Sequence, residues 1–368
     1  MLITILSFVL VLGVLIFVHE LGHFLVAKRM GVTVLRFSLG FGPKIAAITR
    51  GGTEYRLSLL PLGGYVKMLG EDSGEELTPE EKATSFSEAS VWKRLAIVFA
   101  GPLSNFLSAI LIFALVFTFS GVRELAPVIG SVNSGSPAQK AGLKGGDKVV
   151  SIDGKVIGSW DDLSDYIEEH GARPLHFLIK RGDSNISFTV TPAVSNVKNL
   201  FGETISRPLI GIASAEELIV KHVNPLQAGY YALVNTYGYS KVFVLAVVKI
   251  VEGIIPIKTL GGPIMIAQMA GKQARKGFAD LLNFMAIIGV NLAVLNLLPV
   301  PLLDGGHIFF FLIEAVTGKP LSLSKIEIAQ KVGLVALLSL MVVVFYNDLA
   351  RLHWSAITSW LGNLWAAR

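Results

Sequence analysis

LITILSFVLVLGVLIFVHELGHFLVAKRM, residues 2–30, is an apolar run with two histidines and a glutamate set inside it. No charged residue precedes Glu20, and a charge-free apolar stretch of about 18 residues or more is long enough to cross a bilayer. A secretory signal would open on a basic region and end at a small-residue cleavage site. Here residues 1–5 carry no charge, the run is too long for a signal core, and no such cleavage pattern precedes Lys28. The pattern therefore predicts a retained helix over 3–27. On a helix, positions i and i+4 share a face. The two imidazoles of His19-Glu20-Leu21-Gly22-His23 can then hold one metal ion while Glu20 reaches its water. A polar face on a solvated helix is the plain alternative, but two imidazoles and a carboxylate inside an apolar span cost several kcal/mol unless paired or metal-bound. The context favours the metal site.

Moving outward, Lys28, Arg29, Arg36, Lys44, Arg50 and Arg56 face a single acid, Glu54. Loops rich in Lys and Arg stay cytoplasmic, which puts the N-terminus outside. A second span, 95–120, follows Lys93 and Arg94 and returns the chain to the outside; further spans are expected at about 281–302 and 332–350. Residues 224–255 are apolar but interrupted by Lys241, Lys249, Glu252, glycines and tyrosines, and predict interfacial helices. Trp354, Trp360 and Trp365 suit an interfacial belt. Of the 368 residues, 52% are apolar and 16% charged, against about 25% charged in soluble domains, which excludes an ordinary soluble enzyme. Zero cysteines exclude disulfides, thiolate metal sites and cysteine-protease chemistry. The net charge of +5 includes no basic block of the kind that binds nucleic acid.

Four parts follow. Residues 1–120 form an N-terminal membrane part that includes a membrane-associated β-loop at 52–70, where strands Tyr55–Leu60 and Tyr65–Leu69 flank Pro61-Leu62-Gly63-Gly64. The acidic stretch 71–81 reads as a solvated linker. Residues 121–195 form a small extracytoplasmic α+β domain. In it Ser136-Pro137 opens a helix, Lys148–Ile152 is a strand and Asp153-Gly154 a tight turn. Ser159 and Asp162 make a capping box for a helix over 160–169, and strands lie at 175–181 and 186–191. Pro127–Gly130 is either a peptide-carboxylate loop or a plain turn. Residues 196–280 hold further strands and membrane-associated helices, and 281–368 the C-terminal membrane part. The fold class is a multi-span α-helical membrane protein of about four transmembrane helices with an inserted domain.

A catalytic zinc takes three protein ligands and leaves one position open. Without cysteine the third must be His, Asp or Glu on the same side of the membrane as His19 and His23. Parity places His170, His176 and His222 on the other side, leaving Asp304, His307 and Glu314. Asp304 follows Asn296-Leu-Leu-Pro299-Val-Pro301, where the prolines prevent a regular helix; Gly305 and Gly306 after it permit close backbone approach. It can also serve as an ordinary helix N-cap.

FVHELGHFLVAKRMGV (17–32), FSLGFGPKI (37–45), GTEYRLSLLPLGGYVKM (52–68), GPLSNFL (101–107) and NLAVLNLLPVPLLDGGH (291–307) together resemble the site-2 protease family of intramembrane zinc metalloproteases. The regulator-of-sigma-E protease branch of bacteria is the nearest likeness. GSPAQKAGLKGGDKVVSIDGK (135–155) resembles a PDZ domain of membrane and periplasmic proteases. That branch has two tandem PDZ domains in its best-known forms; this chain shows one. The resemblance implies Zn2+ held by His19, His23 and Asp304, Glu20 as catalytic base, and substrate contacts from Asn291, Asn296, Gly63, Gly64 and Tyr65. It also implies an inner-membrane location in a bacterial cell. The expected substrates are single-span membrane proteins, such as anti-sigma factors or remnant signal peptides, with peptide or protein tails at the PDZ domain and no nucleic acid. The competing class is a catalytically silent PDZ-bearing membrane adaptor, weakened by the presence of all four catalytic positions.

Overall fold

A continuous apolar run forms the first helix, α1 (Leu2–Arg29), and a long β-hairpin follows it, β1 (Val34–Arg50) and β2 (Thr53–Met68). The computed structural model describes residues 1–71 and 76–366, with the side chains of 60–62, 323 and 353–366 outside that description. The acidic stretch 71–81 falls partly outside it, as do the side chains of Trp354, Trp360 and Trp365. The hairpin folds back on itself. Phe37 pairs with Val66 on one side and Tyr55 on the other, while Ala46 pairs with Leu57 further along. Strand segments therefore lie side by side in the order 44–50, 53–58, 34–39, 64–68. The segment at 53–58 is covered on both sides, whereas 64–68 forms an edge among the described residues. Val34, Phe37, Val66 and Met68 bury against Ala27 of α1 and Ile97, and this contact fixes which end of the hairpin lies on the helix. A single turn, α2 (Pro79–Lys82), capped by Thr78 and Glu81, leads to α3 (Val91–Ser120).

The second unit comprises Phe117–Ala228 and Lys249–Ile255. Its elements are β3 (Val122–Leu125), β4 (Ile129–Val132), α4 (Pro137–Ala141), β5 (Lys148–Ile152), β6 (Lys155–Val156), α5 (Trp160–His170), β7 (Leu175–Arg181) and β8 (Ser184–Val190). They continue with β9 (Ala193–Lys198), β10 (Thr204–Leu209), β11 (Ile212–Ser214) and β12 (Leu218–Lys221). A four-stranded sheet, β6-β5-β7-β8, carries α4 and α5. Local chemistry sets these elements. Ser136 caps α4, Ser159 and Asp162 form the capping box of α5, and Asp153 and Gly154 both take positive φ at the β5–β6 turn. The core does not stop at residue 195: β11 pairs with β4, and Ile210, 2% exposed, joins Ile129, Phe177 and Leu163. Pro127–Gly130 is not an open loop. Val128 bridges to Lys148, Ile129 is fully buried, and a Cβ at Gly130 would meet the backbone of Ser214 and Ala215.

The first unit, Met1–Val116, Gly229–Val248 and Pro256–Arg368, resumes with α6 (Pro225–Val251), α7 (Pro263–Lys276), α8 (Phe278–Leu297), α9 (Asp304–Thr317) and α10 (Leu323–Ala366). Leu281, Phe284 and Met285 of α8 and Ala270 of α7 pack on Val11 and Leu15 of α1. The Asp348 carboxylate of α10 accepts from the backbone amides of Gly262, Ile264 and Met265 at 2.9–3.1 Å. It supplies the charge that the N-terminus of α7 favours.

Among the described residues, five helices are long and apolar enough to cross a membrane by length and composition: Leu2–Arg29, Val91–Ser120, Pro225–Val251, Phe278–Leu297 and Ser324–Leu352. The fifth, beyond the four expected, is α6, a continuous helix where interruptions suggested interfacial pieces. Gly229 and Gly238 each cost only about 1 kcal/mol in a helix. Asn235 and Ser240 hydrogen-bond back to the carbonyls of Tyr231 and Thr236 and so stay within its ladder. The outer faces of α6 and α10 are exposed and apolar, Val242, Val244, Leu338 and Val342 among them, as lipid contact requires.

In the second unit Arg181 donates to both oxygens of buried Asp147, at 2.7 and 2.8 Å. Burial acts to raise the Asp147 carboxyl, but Arg181 and the Lys144 amide outweigh it and hold the group below its ordinary value of 3.8. A depressed folded pKa means the stabilisation is complete above 3.8 and is lost as pH falls through the lower folded value. Arg181→Leu, which leaves a buried charge unpaired, should cost about 3 kcal/mol near neutral pH. Hydrogen exchange of the β5 and β7 amides should show that cost shrinking in acid; a cost unchanged with pH would contradict the pairing.

Candidate metal centre

His19 and His23 lie one turn apart on α1, with their Nε2 atoms 3.2 Å apart. After α8, Pro299 and Pro301 end the helix and the chain turns sharply: Val300 N–H donates to Leu298 O at 2.7 Å, and Leu303 N–H to Val300 O at 3.0 Å. Leu302 takes φ +95 in this turn, a conformation that costs a branched residue about 1–3 kcal/mol. Gly305 and Gly306 press on the Leu298 and Val300 carbonyls, where any Cβ would collide. The turn thereby delivers Asp304, first residue of α9, to the histidines. Its Oδ2 stands 3.1 Å from His19 Nε2 and its Oδ1 3.6 Å from His23 Nε2. The three ligand atoms all lie within 4.8 Å of one another.

Helix α3 closes the site from behind. Gly101 faces both rings, and a Cβ there would occupy the position of the His23 ring edge. Gly22 of α1 faces the Ala100 carbonyl and Ser104 in the same way. The close approach lets Ile97 O accept from His23 Nδ1 at 2.8 Å. With the proton on Nδ1, the Nε2 lone pair points into the centre. Asp304 Oδ2 is buried and, apart from the facing His19 Nε2, has no partner for its lone pairs. Two imidazole nitrogens and a carboxylate converge there with too few protons between them, an arrangement that a cation satisfies. Two nitrogens and one oxygen, with no thiolate, are the donor set of a catalytic zinc site.

Glu20 lines the same cavity of about 510 Å³, together with Tyr65, Val66 and Met68 of the β-edge, Asn296, His307 and Arg94. A Cβ at Gly64 would lie 3.2 Å from Glu20 Cγ, so the strand runs directly over the glutamate. Asn296 reaches His19 Nε2 at 3.4 Å. Asn291, further back on α8, is not among the residues lining the cavity, and Gly63 packs on the Phe41 ring. Of the other candidates for third ligand, His307 lines the cavity outside the three-residue cluster. Glu314 is held by Arg94 at 2.5 Å, with the guanidinium 4.8 Å over the Phe311 ring. Sequence reasoning assigned no role to α3, which contributes Ile97 O, Gly101 and the buried Asn105. An asparagine inside a charge-free span was the available signal.

Residues 7–340 match the model of peptidase family M50. Two proteins named "Putative zinc metalloprotease" are similar over nearly their whole length. One, from Rhizobium meliloti, is 37% identical over 94% of this chain and 96% of its own; the other, from Campylobacter jejuni, is 38% identical over 94% and 93%. "Zinc metalloprotease RasP" of Geobacillus kaustophilus is 33% identical over 95% of this chain and 98% of its own. Among solved structures, the PDZ domain of an SdrC-like protein from Listeria monocytogenes covers 24% of this chain and 84% of its own at 26% identity, with a TM-score of 0.20. The chain belongs to peptidase family M50, the site-2 proteases, and is a membrane protein and zinc metalloendopeptidase.

Proposed function

We propose that the enzyme cuts peptide bonds within the transmembrane segments of single-span membrane proteins, with His19, His23 and Asp304 holding zinc and Glu20 as its catalytic base. The observation that carries this reading is the convergence of those four side chains on one cavity, between apolar helices and beside an open strand edge. Bound zinc supplies Lewis acidity, polarising the scissile carbonyl and lowering the pKa of water towards about 7. Glu20 accepts the proton of the attacking water and returns it to the leaving amine. A substrate helix hides its carbonyls in its own hydrogen bonds, so it must unwind before attack. The 64–68 edge can hold the extended backbone by strand addition, with Tyr65 at the cavity and Gly63 and Gly64 keeping side chains clear of the approach. Asn296 offers an amide to the same backbone, and Asn291 is assigned a supporting contact with the substrate higher on α8.

We read the N-terminus and second unit as extracytoplasmic in a bacterial inner membrane from the basic residues that follow α1; the helix directions bear on how many times the chain crosses. Leu281 packs near Val11 and Asn296 near His19, so α8 runs parallel to α1. Ile97 meets His23 and Asn105 meets His19, so α3 runs antiparallel and ends on the side where α8 begins. Residues 121–277 must then cross an even number of times. Helix α7, with 14 residues, spans only about 21 Å, too short for a bilayer core of about 30 Å. Helix α6 would cross alone, so the even count leaves it at the outer surface and four helices as spans. We read the second unit as a PDZ domain that receives peptide or protein tails. Its cleft lies between Trp160, Leu163 and Ile167 of α5 and the segment 207–212, where β10 ends and β11 begins.

Glu20→Gln should keep the zinc while cleavage of a single-span model substrate in detergent falls at least about a hundredfold; retained turnover would remove Glu20 from the base role. Asp304→Ala should lose zinc and activity, whereas His307→Ala keeps most of the metal, and the reverse result would return Asp304 to a helix cap. A topology reporter after Ser120 or at residue 260 should read as extracytoplasmic. A cytoplasmic reading at 260 would mean that α6 crosses.

A further inference from the structure

His23 has a partner for its Nδ1 proton in Ile97 O, but among the described residues His19 has no backbone carbonyl in that role. What stands at its Nδ1 is the side chain of Asn105, one helix away on α3, with Nδ2 at 3.3 Å. Asn105 is fully buried, in a helix without charged residues from 95 to 120. Its Oδ1 is also buried and has no hydrogen-bond partner. A primary amide there is costly unless its polar ends are used, and its one contact of this kind is the zinc-facing ring of α1.

In the orientation seen, Asn105 donates to Nδ1. The His19 proton then sits on Nε2, 3.1 Å from Asp304 Oδ2, where it blocks the position a metal needs. Turning the amide about its terminal bond brings Oδ1 to Nδ1. The proton then stays on Nδ1, the buried oxygen gains a donor, and Nε2 is bare. We propose that Asn105 is the positioning residue of the metal centre: its amide fixes the ring and tautomer of His19, presenting Nε2 to zinc. It does for His19 what the Ile97 carbonyl does for His23. The proposal rests on the reading of His19 as a zinc ligand. It goes beyond that reading because Asn105 touches neither substrate nor the reacting atoms.

Zinc affinity of the full-length enzyme in detergent, measured by chelator competition, tests it without reference to activity. Wild type, His23→Ala and His19→Ala are compared first. If wild type binds no zinc, or either His23→Ala or His19→Ala binds it equally well, the ligand assignment itself has failed. Given that assignment, Asn105→Leu, apolar and of similar volume, should weaken zinc binding about 10- to 100-fold. Thermal unfolding of its metal-free form should match the wild type. Asn105→Asp, which keeps an acceptor for Nδ1–H, should bind zinc at least as tightly as wild type. If Asn105 only packs α3 on α1, the order reverses: Leu is tolerated, and a buried carboxylate disrupts the site. Zinc affinity within threefold of wild type for Asn105→Leu, or equal losses for the two variants, overturns the proposal. Should Asn105→Leu fail to fold, Asn105→Asp decides alone: undiminished affinity supports the proposal and weakened affinity refutes it.

Discussion

The structure depends on how closely α3 can lie against α1. Gly22 on one helix and Gly101 on the other remove the side chains that would hold the backbones apart. In a membrane, small residues at a helix crossing are what permit tight packing, because lipid offers apolar side chains as good a contact as protein does. Here the crossing coincides with the metal ligands. With a larger residue at 101 the imidazoles would be displaced, and Ile97 O and Asn105 would no longer reach their Nδ1 atoms. The same crossing buries Ile97 with Val34, Phe37, Val66 and Met68, so the β-edge is anchored by the contact that shapes the metal site.

The second constraint comes from the break after α8. Two prolines, a positive φ at Leu302 and two glycines that admit no Cβ make a turn with little freedom. Irregular backbone at membrane depth survives only where protein or water satisfies it, and here the turn closes on its own carbonyls. The result is a short carboxylate held against two imidazoles, with Glu20 and Asn296 lining the same cavity.

Much of this was legible in the sequence because its causes are local. His19 and His23 are one turn apart whatever the rest of the chain does, and Pro299 and Pro301 end a helix by their own geometry. Ser136, Ser159 and Asp153-Gly154 set caps and a turn in the same local way. What escaped depends on partners distant in the chain. The double pairing of 34–39 cannot be read from the alternation at 55–68, so nothing in the sequence tells which of the two expected strands lies at an edge; 53–58 is covered on both sides and 64–68 is not, among the described residues. Ile210 belongs to a core whose other buried members end at Val190, and only the pairing of β11 with β4 reveals it. Helix α6 looked broken because Lys241, Lys249 and the glycines were weighed as interruptions, although none of them stops a helix. Asn105 carries no helix or strand signal at all. Its meaning lies in a contact 86 residues back along the chain.

The central claim is that α1 and the turn after α8 together build one zinc centre. Zinc K-edge X-ray absorption on the purified full-length enzyme addresses it most directly, since it reports the ligands around the metal and not the consequences of losing them. The account predicts one zinc per chain in a four- or five-coordinate shell of two imidazole nitrogens and oxygen donors, at about 2.0–2.2 Å. A shell without imidazole scattering, or six oxygens as for an adventitious ion, would contradict it.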